Sequence, residues 1–180
     1  LGRYIDFSLG ESIGYSIKDE QTAGGGNYYY SNPIYGIHEL NPSQPVYLPD
    51  GSLNPNPGYW NSIPNYVANL KLLSFTEKEL SSISNLSLTV NFADWLNFRT
   101  VNGIDINYVQ DKQICKPESS DGAPTNGFMW QYASLYHKMT TSNTLNFNKA
   151  FGMHTLGALV GYEAMKYMYD NFEASGQQFA

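Results

Sequence analysis

The stretch Tyr4-Ile5-Asp6-Phe7-Ser8-Leu9-Gly10-Glu11-Ser12-Ile13-Gly14-Tyr15-Ser16-Ile17-Lys18 changes character at every step. Its odd positions carry Ile5, Phe7, Leu9, Ile13, Tyr15 and Ile17, with Glu11 the exception, while its even positions carry Tyr4, Asp6, Ser8, Gly10, Ser12, Gly14, Ser16 and Lys18. A period of two places successive side chains on opposite faces of a β-strand, so one face is apolar and the other small and polar. Strands of soluble proteins average roughly 5–6 residues, whereas this alternation lasts about 14. At ~3.3 Å per residue and a tilt of ~45° such a strand climbs roughly 30 Å, the depth of a bilayer core. The odd face suits lipid, and the Ser-Gly-Ser-Gly-Ser face suits a water-filled or plugged lumen.

The rhythm recurs. Leu86, Leu88, Val90 and Phe92 alternate with Ser87, Thr89 and Asn91; after a turn at Ala93-Asp94, Leu96, Phe98, Ile104, Ile106 and Tyr108 alternate with Asn97, Arg99, Gly103, Asp105 and Asn107, interrupted in register by Thr100 and Asn102. A fourth run, rich in hydroxyl and aromatic residues, passes Tyr132, Tyr136, Thr140, Thr144 and Leu145 without declaring its faces. A fifth carries Leu156, Ala158, Val160, Tyr162 and Ala164 on one face, with Gly157 and Gly161 on the other. The pattern predicts strands over about 3–18, 82–93, 95–109, 128–148 and 154–169, with long loops over about 19–79 and 110–127. Val67 to Leu73 reads either as a helical turn or as the start of the descending strand.

Long and short connections therefore alternate, as the long extracellular loops and short periplasmic turns of outer-membrane barrels do. The predicted fold is all-β, an antiparallel transmembrane β-barrel segment in the cell outer membrane. The alternative is a secreted β-sandwich that binds carbohydrate, in which a second sheet covers Ile5, Phe7, Leu9 and Ile13.

Composition narrows the function. The chain has 180 residues, 42% hydrophobic, 15% aromatic and only 14% charged, where a soluble domain carries roughly 25% charged residues. Ten Lys and Arg against sixteen Asp and Glu, with a net charge of −6, leave no basic footprint for nucleic acid. No run reaches the ~20 apolar residues of a membrane helix. Cys115 is the only cysteine, and His38, His137 and His154 lack ligand spacing, so neither a disulfide nor a metal is expected. Gly24-Gly25-Gly26 lacks the Lys-Ser/Thr of a phosphate loop, and no Gly-x-Ser-x-Gly elbow occurs. Asp50, Asp94 and Asp121 sit where a side chain supports a turn. The expectation is a protein without cofactor or catalytic residues, not an enzyme.

The first long loop is rich in aromatics, among them Tyr28, Tyr29, Tyr30, Tyr35, Tyr47, Tyr59, Trp60 and Tyr66. Tyr47, Tyr59 and Trp60 are the candidate ligand-binding residues, since exposed aromatics stack on sugar rings or peptides at small entropic cost. Packing of the loop against a neighbouring element, or a place in an interfacial girdle, is the competing role. Trp95, beside a short turn, reads as a membrane-interface anchor.

Two segments resemble a known family. Asn32-Pro33-Ile34-Tyr35, Asn41-Pro42, then Pro45-Val46-Tyr47-Leu48-Pro49-Asp50-Gly51-Ser52 and Asn54-Pro55 resemble a loop of SusC/RagA-type TonB-dependent outer-membrane transporters. Thr144-Leu145-Asn146-Phe147-Asn148-Lys149-Ala150-Phe151-Gly152-Met153-His154-Thr155-Leu156 with Leu159-Val160-Gly161-Tyr162-Glu163 is similar to that family's recurring hairpin and is the more specific of the two. The resemblance implies a ~22-stranded barrel with an N-terminal plug. It also implies energising by the TonB complex, a SusD-like surface lipoprotein as partner, and uptake of glycans or peptides in Bacteroidota, including polysaccharide utilisation. Plug, TonB box and signal segment are not found between Leu1 and Ala180, so the chain reads as an internal barrel portion that reaches TonB through other regions of its parent.

Overall fold

In the computed structural model, which describes residues 4–20, 45–54, 65–119 and 121–178, the chain is all-β. Five antiparallel strands form one sheet in sequence order: β1 (Ile5–Glu20), β2 (Leu73–Ala93), β3 (Leu96–Cys115), β4 (Phe128–Phe151) and β5 (His154–Gln177). One short helix, α1 (Tyr66–Leu72), leads into β2. No helix is long and apolar enough to cross a membrane. By packing, the chain divides into unit 1 (Leu1–Tyr15, Glu79–Tyr108, Ser134–Asp170) and unit 2 (Ser16–Lys78, Val109–Ala133, Asn171–Ala180).

In unit 1 the cross-strand partners fix the register and sort the faces. Asp6 accepts from Asn91 and Glu11 accepts from Ser82, so β1 and β2 run in opposite directions. Asp105 pairs with Lys138, Asn97 with Asn146, and Ser142 with Glu163, which carries the same antiparallel order across β3, β4 and β5. Because strand residues alternate sides, these contacts put Asp6, Asn91, Asn97, Asp105, Lys138, Asn146 and Glu163 on one polar face. Phe7, Leu9, Ile13, Leu86, Phe92, Ile104 and Val160 take the other, where no described element covers them; Ile13 is 71% exposed and Val160 70%. Among the described residues no second sheet, of the kind a sandwich requires, lies over this face.

The apolar face is not uniform. Glu11 accepts hydrogen bonds from Ser82 (2.8 Å) and Ser84, Asn102 donates to Thr100 (3.0 Å), and Asn143 donates to Thr141 (3.1 Å). Thr100 and Asn102 do not break the register of β3, contrary to the reading of the sequence: Asn97 and Asp105 on either side of them face the same way and meet the same neighbouring strand. The polar side chains instead satisfy one another laterally, which lowers the cost of placing them on an apolar surface.

The hairpin turns are short. Asp94-Trp95 joins β2 to β3, and Gly152-Met153 joins β4 to β5. Gly152 has φ +63, a left-handed conformation that a tight hairpin demands and glycine adopts without strain. Beside the first turn, Lys149 Nζ lies 4.3 Å from the Trp95 ring centroid and Phe147 meets Trp95 edge-on at 5.4 Å. Such a cation–aromatic group is the amphipathic kind found at a membrane–water boundary.

In unit 2 the described parts of the connections are held by side-chain hydrogen bonds. Tyr47 bridges Leu53 across a turn at Asp50-Gly51, where Gly51 has φ +83 and Asp50 Oδ1 accepts from the Ser52 N–H (2.9 Å) and hydroxyl (2.6 Å). Asn65 ties this miniature hairpin to α1. Its Oδ1 caps the helix by accepting from Val67 and Ala68, while its Nδ2 donates to Val46 O (2.8 Å) and Asn54 O (2.7 Å). Val67 to Leu73, readable from sequence as helix or strand, is thus helix up to Leu72 and strand from Leu73.

The second connection is a tight knot. Ser119 Oγ donates to Lys116 O (2.6 Å) and accepts from Gly122 N (2.9 Å), and a Cβ on Gly122 would stand 2.1 Å from Lys116 O. Every strand outruns its predicted end: β2 starts at Leu73, β3 continues to Cys115 and β5 to Gln177.

Candidate functional site

Two surfaces carry chemistry. The first is the polar face of unit 1. Its centre is the Lys138–Asp105 ion pair at 3.0 Å, flanked by Glu79, which accepts from Asn107 (2.8 Å), and by Glu163, which accepts from Ser142 (3.0 Å). Tyr136 and Tyr167 lie 6.1 Å apart on the same face. Close approach requires Gly103, where a Cβ would meet Thr140 Oγ1 at 2.6 Å and Asn85 Oδ1 at 3.2 Å. Such a surface offers many donors and acceptors, with one ion pair and several carboxylates held by neutral amides and hydroxyls.

The second surface belongs to unit 2, where the sequence places its ligand candidates. Tyr47 is half exposed, and Lys71 Nζ lies 6.0 Å from its ring centroid, so the ring is presented next to a cation. Tyr59 and Trp60 lie outside the described residues. Sequence reasoning missed a second aromatic element: Trp130 and Tyr132 stack at 5.8 Å with planes 6° apart, and Trp130 Nε1 donates to Glu173 (2.7 Å). The signal for it was the spacing of two in Trp130-Gln131-Tyr132, which puts both rings on one side of β4.

The titratable groups of the loops serve structure. Two hydrogen bonds from Ser52, hydroxyl first and then backbone, hold the Asp50 carboxyl below the usual range. Burial pushes the Cys115 thiol up to about 11, the charge of Asp121 adding to it and the Gln113 amide opposing it. A thiol held neutral in this way is inert as a nucleophile at neutral pH. Among the described residues no cluster of three His, Cys, Asp or Glu is arranged to hold a metal ion.

No protein-family model matches the chain, and no curated protein matches it in sequence. Solved structures do. The chain is similar to the RagAB peptide importer in its open-open state (TM-score 0.65, 16% identity) over 98% of its own residues and 20% of that chain. It is similar to the same importer in the closed-closed state (TM-score 0.67, 18% identity) over 99% of its residues and 20% of that chain. The likeness is one of fold. The chain spans about a fifth of the length of the chains it matches.

Proposed function

We propose that these residues form a wall segment of a SusC-like, TonB-dependent outer-membrane transporter that imports nutrients, peptides or glycans, with a SusD-like lipoprotein at the end bearing the long loops. The observation that carries the reading is the uncovered apolar face of strands long enough to span a bilayer, backed by a face of carboxylates, amides and hydroxyls with the Lys138–Asp105 pair among them. In water such a face would bring aggregation or a covering layer; in lipid it is the stable arrangement. The fold shared with a peptide importer points the same way.

In this reading the polar face lines the lumen, where Lys138 and Asp105 neutralise each other and leave a hydrated, weakly selective wall. Substrate selection falls to the loop aromatics, with Tyr47 held by the Asn65 staple and Tyr59 and Trp60 next in the same loop. The role is transport without bond-making chemistry, and coupling to the TonB complex runs through other parts of the complete protein. Among the described residues no strand pairs with the outer edges of β1 and β5, and an unpaired backbone group at membrane depth costs several kcal/mol, so in this reading both edges are paired in the membrane.

Membrane fractionation of the complete protein is the test. Recovery with the outer membrane, extractable only by detergent, is expected. Recovery in the soluble fraction removes the proposal.

A further inference from the structure

Within unit 2, Thr76 and Lys78 of β2, Gln110 and Lys112 of β3, and Gln131 of β4 line a recess of about 380 Å³. Their parity is informative. Thr76 Oγ1 donates to Asp19 Oδ1, which lies on the odd, apolar side of β1, and Lys78 shares the parity of Leu80 and Leu86. On β3, Gln110 and Lys112 follow Tyr108, Ile106 and Ile104 at steps of two. Along β1, β2 and β3 this parity passes from apolar to polar within one step of two, from Ile17 to Asp19, Leu80 to Lys78 and Tyr108 to Gln110. Tyr15 and Tyr108, the last aromatics on this parity of β1 and β3 in sequence, are of the type that marks a membrane–water boundary.

Every lining side chain bears hydrogen-bond donors, and two are ammonium groups. Lys78 and Lys112 are exposed, and neither makes an ion pair with a described residue. Asp19, on this side of β1 within unit 2, is engaged by Thr76. A strand that needed only to end its apolar stretch would be served by any polar residues. Two cations and two amides gathered from three strands form a concave donor set, the arrangement that holds a phosphate.

We propose that this recess binds the phosphate of a membrane lipid headgroup in the leaflet on the side of the long loops, fastening the wall to its lipid. The proposal rests on the outer-membrane reading above. Lys78 and Lys112 supply the charge, and Gln110 and Gln131 supply directional hydrogen bonds to the remaining oxygens.

The complete protein, purified from outer membranes in detergent and stripped of lipid, is incubated with phosphorylated lipid A or with its dephosphorylated form. Native mass spectrometry reads the retained lipid. The phosphorylated form is expected to be held, and the Lys78→Gln/Lys112→Gln variant is expected to lose at least about tenfold in apparent affinity. Lys116→Gln, which removes a cation from the connecting loop, is expected to behave as wild type. Heat-modifiable migration of each variant on gels establishes that it is folded. Equal retention of both lipids, or equal binding by the folded double variant, overturns the proposal. Displacement by inorganic phosphate alone at about millimolar concentration overturns the lipid assignment, since the charge of a free anion would then suffice. A protein that fractionates with the outer membrane yet ignores the phosphate sinks this inference alone; one that is soluble without detergent sinks the reading beneath it.

Discussion

On β1, β2 and β3 the residue parity that is apolar in unit 1 turns largely polar in unit 2, Ile17 being among the exceptions. In unit 1 it presents Phe7, Leu9, Ile13, Leu86, Phe92 and Ile104; in unit 2 the same parity of the same strands presents Asp19, Thr76, Lys78, Gln110 and Lys112. The backbone does not register the change, because ladder hydrogen bonds depend on the neighbouring strand and not on what the side chains face. The strands therefore run on for 16 to 24 residues although their apolar contrast stops sooner. In a membrane protein the position of that switch marks where lipid ends, and the strand ends mark only where pairing ends.

The strongest way to break this comparison is to carry an identical charge to each unit. Ile13→Arg is expected to destabilise the folded complete protein by about 2–4 kcal/mol in lipid vesicles, while Gln110→Arg costs about 0–1 kcal/mol. Equal effects in denaturant titrations of the two variants would mean that unit 1 does not face lipid. Gly122→Ala comes next, at about 1–3 kcal/mol, because its Cβ would stand 2.1 Å from Lys116 O and the knot must open. Hydrogen exchange is expected to rise over residues 116–127 and to stay unchanged in unit 1.

Smaller still is the loss from Lys138→Met on the polar face. Its partner Asp105 is about a third exposed, so the pair contributes within the ~0–1 kcal/mol of screened ion pairs. Stability by denaturant titration is expected to move little, and transport of charged substrate to change more. The mildest effect concerns Cys115. Its folded thiol is pushed up to about 11, above the ordinary thiol value, so the stability it lends is complete below the unfolded pKa and is lost as pH rises towards 11. Alkylation by iodoacetamide is expected to stay slow at pH 8–9 and to accelerate towards pH 11 as the knot opens; rapid labelling at pH 8 would contradict the burial.

Legibility in the sequence followed the same boundary. Where apolar and polar side chains alternate, as from Ile5 to Ile17 or Leu86 to Phe92, both strand and faces were readable. Where both parities turn polar, as from Thr76 to Glu79 and from Gln110 to Gln113, the period lost its contrast and the predicted strands stopped short. Thr100 and Asn102 looked like a register break for the same reason, since two polar residues on an apolar face imitate a slip of one. Tyr47 was singled out as one of the loop aromatics, and the Asp50-Gly51 turn beside it was legible as a turn signal. The Trp130–Tyr132 stack was passed over because β4, with hydroxyl and aromatic residues on both parities, declared no face.

The sequence by itself determined the all-β class, the spanning-length first strand, the positions of both short turns and the division into an apolar and a polar face, because each is a local consequence of residue order and a two-residue period. Only the tertiary structure decided that the strands form one uncovered sheet, that Lys138 meets Asp105, that Asn65 staples the Tyr47 hairpin to its helix, and that Lys78 and Lys112 share a recess. Those depend on which residues on different strands come opposite one another, and register between strands is fixed by pairing over the whole ladder, which no single stretch of chain encodes.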